Sequence, residues 1–135
     1  GRSIQLGGRA QQDVPRGACD PARLHEAVLY LAANARAAMP AGGTLVLSAY
    51  QEGDPDNGEP NPTPRAVVIE VRDTGEGIAT SALPHVFDPG FTTRPDATGL
   101  GCAQVRAIVE QWGGSAEIES RPGDGTRVLL RLPVV

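Results

Sequence analysis

The chain has 135 residues, one domain's worth, and 40% of them are hydrophobic, enough for a packed core and too many for a disordered tail. A net charge of -4 argues against the basic face that nucleic-acid binding needs, and no apolar run reaches the roughly 18 residues of a membrane span or reads as a secretory leader. Cys19 and Cys102 show neither metal-ligand spacing nor a disulfide framework, so a cytoplasmic setting without membrane contact is expected.

In chain order, Ser3 to Gly7 has the pattern of a short strand and residues 8 to 18 that of a loop. Asp20-Pro21 then pairs a helix N-cap with proline at the first helical position. Leu24, Ala27, Val28, Leu31, Ala35, Ala38 and Met39 follow at helical spacing, which predicts a helix up to Pro40. Gly42-Gly43 turn the chain into a strand from Thr44 to Tyr50. "QEGDPDNGEPNPTPR", residues 51 to 65, is crowded with prolines and acids and reads as a solvated, flexible loop. Ala66 to Arg72 forms a strand with Val67, Ile69 and Val71 on one face and Val68 on the other, so both faces are expected to be partly buried.

Residues 73 to 98 look irregular, apart from a helical turn near Ser81 to Val86. From Gly99 a second helix is expected to run to about Trp112, with Cys102, Val105, Ile108, Val109 and Trp112 on one stripe and Gly113-Gly114 ending it. Ser115 to Ser120 and Thr126 to Pro133 make a hairpin around "RPGDG". The strands come in hairpin-like pairs rather than in βαβ units. The expected fold is therefore α+β: a two-layer sandwich with a mixed, mostly antiparallel sheet covered on one face by helices, in a single domain 1-135 with its core from about 20 to 133.

Three places carry chemistry. "TGLG", Thr98 to Gly101, lies where the second helix should begin; glycines there admit a ligand to unpaired N–H groups and the positive end of the helix dipole, a good phosphate site and equally an ordinary turn. Asn34 is a polar amide in mid-helix on the stripe of Leu31, Ala35 and Ala38, either bonded to nearby backbone or an oxygen ligand for Mg²⁺. Asp73 ends an apolar strand and precedes Gly75 and Gly77. Its "DTG" is also the aspartic-protease triplet, but that chemistry needs two aspartates sharing a proton, hence a homodimer, and gives the second glycine no purpose. A plain Asx turn is the other structural reading of Asp73. Every one of the twelve basic residues is an Arg, so a cation meeting a phosphate here must be a guanidinium.

Taken together these sites resemble a family. "LHEAVLYLAANARAAMPAGG" is similar to the N box of bacterial sensor histidine kinases, "VRDTGEGI" to the G1 box, "HVFDPGFTTR" to the F box, "TGLGCAQVRAIVEQWGG" to the G2 box, and "IESRPGDGTRVLLRLP" to the closing hairpin of their ATP-binding catalytic domain, a branch of the Bergerat-fold superfamily with gyrase, heat-shock chaperone and MutL ATPases. The resemblance implies ATP and Mg²⁺ as ligands. It implies that Asp73 accepts a hydrogen bond from the adenine amine, that Gly75 and Gly77 let the loop approach the base, and that Ile78 packs near it. Asn34 would hold the metal and residues 88 to 98 would be an ATP lid anchored by Phe87 and Phe91. Thr92, Thr93 and Arg94 fall at lid contacts, with Arg94 toward the terminal phosphate, and Thr98, Gly99, Leu100 and Gly101 form the phosphate loop. Arg36 is open between a phosphate contact and a surface charge. The implied partners are a histidine-bearing dimerisation domain and a response regulator, both in or beyond the parent kinase.

The chain also departs from the family pattern. Tyr30 stands one turn before Asn34, where many kinases have a polar residue and gyrase-type ATPases a Glu general base; Gly90 replaces an F-box Phe; Cys102 replaces a common Leu. These departures keep open a degenerate pseudokinase or adaptor. His25, inside the first helix beside Glu26, and His85, before the F box, read as surface and loop residues rather than as the phosphoacceptor. Glu76 reads as solvated.

Overall fold

A computed structural model describes residues 4–10, 19–53, 64–78, 80–88 and 102–133. Strand β1 (Ile4–Ala10) is followed by helix α1 (Pro21–Ala37), strands β2 (Gly43–Gly53) and β3 (Pro64–Asp73), a 3₁₀ turn at Leu83–His85, helix α2 (Cys102–Gln111) and strands β4 (Ser115–Ser120) and β5 (Thr126–Pro133). They form one sheet in the order β1-β2-β3-β5-β4. Only the β1–β2 pairing is parallel; the others are antiparallel. The expected α+β sandwich and mostly antiparallel sheet are therefore present.

The differences from expectation lie at element ends. β1 reaches Ala10 instead of stopping at Gly7, because residues 8–10 continue the ladder onto Leu47, Ser48 and Ala49. Pairing with a neighbour overrides the poor strand propensity of Gly7-Gly8. β1, α1 and β2 consequently make one βαβ crossover, a unit the pairwise reading of the strands left out. β2 and β3 each extend into the segment read as loop, up to Gly53 and from Pro64; the expected flexibility of 54–63 lies outside the described residues.

α1 begins as its sequence dictates: the Asp20 carboxylate accepts the Ala22 N–H at 3.0 Å, satisfying a donor that the first turn leaves unpaired. It ends at Ala37, three residues before Pro40, with the Ala38 N–H capping the carbonyls of Asn34 and Ala35. Leu31, Ala35 and Met39 of its stripe pack with Val105 and Val109 of α2 against Leu45, Val71, Val128, Leu130 and Leu132 of the sheet. This apolar layer is the main core.

The opposite face of the sheet carries cross-strand ion pairs. Arg127 bridges Glu70 and Glu119, and Arg131 reaches Glu52 at 3.2 Å and Glu117 at 3.0 Å. Val68 lies on this face and is wholly buried, deeper than the partial burial its strand pattern predicts. At the tail of α2, Gly114 lies so close to the Arg131 carbonyl that a Cβ there would strike it, which locks the turn into β4.

Leu130 is 0% exposed in the middle of the core layer. Leu130→Ala is expected to destabilise the fold by about 2–5 kcal/mol in denaturant unfolding, whereas Leu29→Ala, at a side chain 57% exposed, should stay within about 0.5 kcal/mol.

Candidate functional site

β3 ends in Asp73, opposite Leu45 on β2 and Thr126 on β5. Counting by twos from Val71 puts its side chain on the helix-covered face. It is the buried charged residue of the described chain, 6% exposed. Its Oδ1 accepts the Gly75 N–H at 2.8 Å, and its carboxylate accepts a second N–H from Thr126. Burial pushes the Asp73 carboxyl up from its ordinary value near 3.8, and the two backbone donors offset part of that push.

The residues after Asp73 are stapled on three sides. Thr74 donates its N–H to the Thr44 carbonyl at 3.1 Å and accepts the Thr44 N–H on its hydroxyl at 2.9 Å, which holds the loop to β2. The Glu76 N–H donates to the Ala38 carbonyl at the end of α1, 3.1 Å, and the Glu76 carbonyl accepts the Gly123 N–H from the β4–β5 turn, 2.8 Å. Glu76 is exposed, as expected, yet its backbone joins helix to hairpin. The Ile78 N–H donates to Ser120 Oγ at 2.8 Å.

The glycines of this loop serve those staples. A Cβ on Gly75 would sit 2.6 Å from the Ala38 carbonyl oxygen. Gly77 has φ +76° and a Cβ there would strike the Arg121 carbonyl. Both residues let the loop pass close to protein backbone, a cause visible only once α1 and the hairpin are in place.

The other expected site residues fall into three groups. Asn34 and Arg36 are exposed on the last turns of α1. Asn34 is therefore off the buried stripe on which its spacing placed it; the core face is carried by Leu31 and Ala35 instead. Its backbone carbonyl accepts from Ala38, whose own carbonyl holds Glu76, so Asn34 lies one turn from the Asp73 loop. Ile78 is half-buried, and Phe87 lies under the Arg106 guanidinium of α2, 5.2 Å from ring centre to Cζ, which ties the residues just before the expected lid to the helix. Thr92, Thr93, Arg94, Thr98, Gly99, Leu100 and Gly101, with Gly90, Phe91 and most of the expected lid, lie outside the described residues.

Tyr30 is half-buried against the core and bonds the Cys102 thiol at the start of α2. His25 is exposed on α1, and His85 pairs with Asp88 at 2.9 Å.

Two residues were missed in the sequence. Thr126 and Ser120 stand beside Asp73 on the wall of a cleft of about 490 Å³, which Ile118, Leu83 and the turn residues Arg121, Asp124 and Gly125 also line. The signal was available only as hydroxyls at the two ends of the "RPGDG" hairpin; nothing local shows that the hairpin closes over Asp73.

Because the folded Asp73 carboxyl keeps its proton to higher pH than the unfolded chain does, the native state binds more protons as pH rises above about 3.8, and stability falls through that window. Relative to Asp73→Asn, the parent chain should lose stability between pH 4 and pH 7; unfolding midpoints at both pH values check the sign. Gly77→Ala should destabilise at every pH, by about 1 kcal/mol or more.

The family described as histidine kinase-, DNA gyrase B- and HSP90-like ATPases matches residues 19–135. Sensor histidine kinase ZraS of Salmonella typhi is 40% identical over 134 residues, which is 99% of this chain and 27% of that protein. Sporulation kinase D of Bacillus subtilis is 36% identical over 116 residues, 86% of this chain and 21% of that protein. The chain thus spans about a quarter of the length of these curated relatives. The catalytic domain of histidine kinase ThkA has the same fold, with TM-score 0.76 at 23% identity over 97% of this chain and 79% of that one. Full-length ShkA in complex with AMPPNP gives 0.75 at 26% identity, over 98% of this chain and 26% of that one. With two helices on one face of the sheet and a family match over nearly its whole length, the chain belongs to the histidine kinase-, DNA gyrase B- and HSP90-like ATPases.

Proposed function

We propose that this domain holds Mg-ATP and presents its γ-phosphoryl group to a histidine on a separate dimerisation domain of a parent sensor kinase, which in turn serves a response regulator. The observation that carries the reading is Asp73: a buried carboxylate, held in place by two backbone donors, on the wall of a cleft. The adenine amine gives it a donor where guanine has a carbonyl, and leaving such a group unpaired costs about 1–3 kcal/mol. Half-buried Ile78 supplies apolar surface for the base.

Asn34 would hold the metal through its amide oxygen. Its amide is exposed one turn from the Asp73 loop, and among the described residues no three His, Cys, Asp or Glu side chains cluster to hold an ion. A single oxygen ligand fits Mg²⁺, which keeps waters and takes the rest of its shell from phosphates. When bound it supplies charge neutralisation across the phosphate chain. Arg94 is proposed for the terminal phosphate, Thr92 and Thr93 for lid contacts, and Thr98, Gly99, Leu100 and Gly101 for the phosphate loop, with Arg36 as a further candidate cation. The chain's work is then positioning: the base fixed at Asp73, the phosphates along α1 and the start of α2, the γ-phosphorus open to in-line attack.

Tyr30 bears on the competing readings. The place one turn before Asn34 holds an aromatic ring packed on the core, with its hydroxyl on Cys102 rather than a carboxylate facing water. That disfavours hydrolysis of the gyrase or MutL kind and leaves a binding-only adaptor as the alternative.

Calorimetric titration of ATP, with and without Mg²⁺, separates these. Asp73→Asn should lower affinity by about tenfold or more whether or not Mg²⁺ is present, and Asn34→Ala should remove only the Mg²⁺-dependent part. If Asp73→Asn binds as tightly as the parent, the adenine assignment is wrong; if nothing binds, the adaptor reading prevails. Incubated alone with γ-labelled ATP, the chain should acquire no stable label, since His25 and His85 both lie on the surface of the domain that holds the nucleotide.

A further inference from the structure

Of the polar side chains that line the cleft at the end of the sheet, Asp73, Ser120 and Thr126 share its helix-covered side, while Arg72, Glu119 and Arg127 belong to the opposite face and Arg121 and Asp124 to the turn. The first three follow one another across the ladder, Ser120 opposite Thr126 and Thr126 opposite Asp73. A hydroxyl has one proton and two lone pairs. The Ser120 proton goes to the Gly125 carbonyl, 2.8 Å away, and one lone pair accepts the Ile78 N–H, also at 2.8 Å. The contact between Ser120 Oγ and Thr126 Oγ1, 3.0 Å, then has a single polarity left: Thr126 donates and Ser120 accepts. With its proton committed to Ser120, Thr126 has only lone pairs to offer the cleft.

We infer that Ser120 is a specificity-determining positioning residue: by holding the Thr126 hydroxyl as an acceptor beside the Asp73 carboxylate, it makes this wall read a base edge that donates and reject one that presents a carbonyl. The inference rests on the adenine reading of Asp73 and adds a second acceptor to it. An exocyclic amine carries two N–H groups, one for each acceptor directly or through water. Hypoxanthine puts a carbonyl oxygen in the same place, and Thr126 cannot turn its proton toward that oxygen without breaking its bond to Ser120. Removing the Ser120 hydroxyl frees Thr126 to donate or accept, so the wall loses part of its discrimination. The Ile78 staple is lost as well, but that loss falls on every nucleotide alike.

The test compares dissociation constants of Mg-ATP and Mg-inosine triphosphate, which share the triphosphate and differ at the amine, for the 135-residue chain and its variants. The parent should prefer ATP. Ser120→Ala should reduce that preference by about five- to tenfold, the scale of one hydrogen bond. Ser120→Thr, which keeps the hydroxyl, should retain it. Thr126→Val should show the same reduced preference, with Ser120→Ala adding nothing further to it. A Ser120→Ala chain that weakens both nucleotides by the same factor makes Ser120 merely structural and overturns the inference. If Ser120→Ala has no cooperative melting transition, Thr126→Val decides alone, and an unchanged preference there overturns it equally. Failure of the parent chain to bind either nucleotide defeats the adenine reading itself, and the inference with it, before any variant is compared.

Discussion

The site depends on one costly arrangement: a carboxylate at the end of a central strand, 6% exposed, on the same face as the hydrophobic core. Such a group is tolerated only where donors are fixed around it. Here they are backbone N–H groups from Gly75 and Thr126, which come from two different segments. Asp73 is therefore not an ornament on a finished fold. Its donors exist only if the loop after β3 turns back at once and β5 runs beside β3 to its end.

That requirement explains why the surroundings of Asp73 are built from main chain. The loop from Thr74 to Ile78 is held to β2 through Thr44, to α1 through Ala38 and to the hairpin through Gly123 and Ser120. Backbones can approach so closely only where Cβ atoms are missing, at Gly75, Gly77 and, against the Asp73 carbonyl, Gly125. The glycines that invite a ligand-cradling interpretation are explained first by protein meeting protein. A buried acceptor on a stapled rim is the outcome, and such fixity is what the proposed selectivity among bases demands: an acceptor that can move away loses little when its partner is wrong.

Much of this was legible in the chain. The Asp20-Pro21 start of α1, the stripes of both helices and the β4–β5 hairpin are local patterns, fixed by capping chemistry and by periods of 3.6 and 2 residues, and each appears where it was expected. The four boxes in order pointed to the family. What failed was what depends on neighbours. β1 extends to Ala10 because β2 offers a ladder, Val68 is buried although its strand pattern predicts less, and Asn34 faces solvent because a helix's orientation is set by which stripe finds the sheet. Ser120 and Thr126 were passed over because a hydroxyl at a strand end has no local signature.

The sequence by itself determined the elements, the apolar layer that joins them, and the acid on which the site is centred, since propensity, capping and hydrophobic period act over a few residues. Only the tertiary structure decided which groups face that acid and with what polarity. Those contacts join residues 38, 44, 73, 120 and 126, far apart along the chain, and the direction of a hydrogen bond between two hydroxyls is set by every other partner that each of them has.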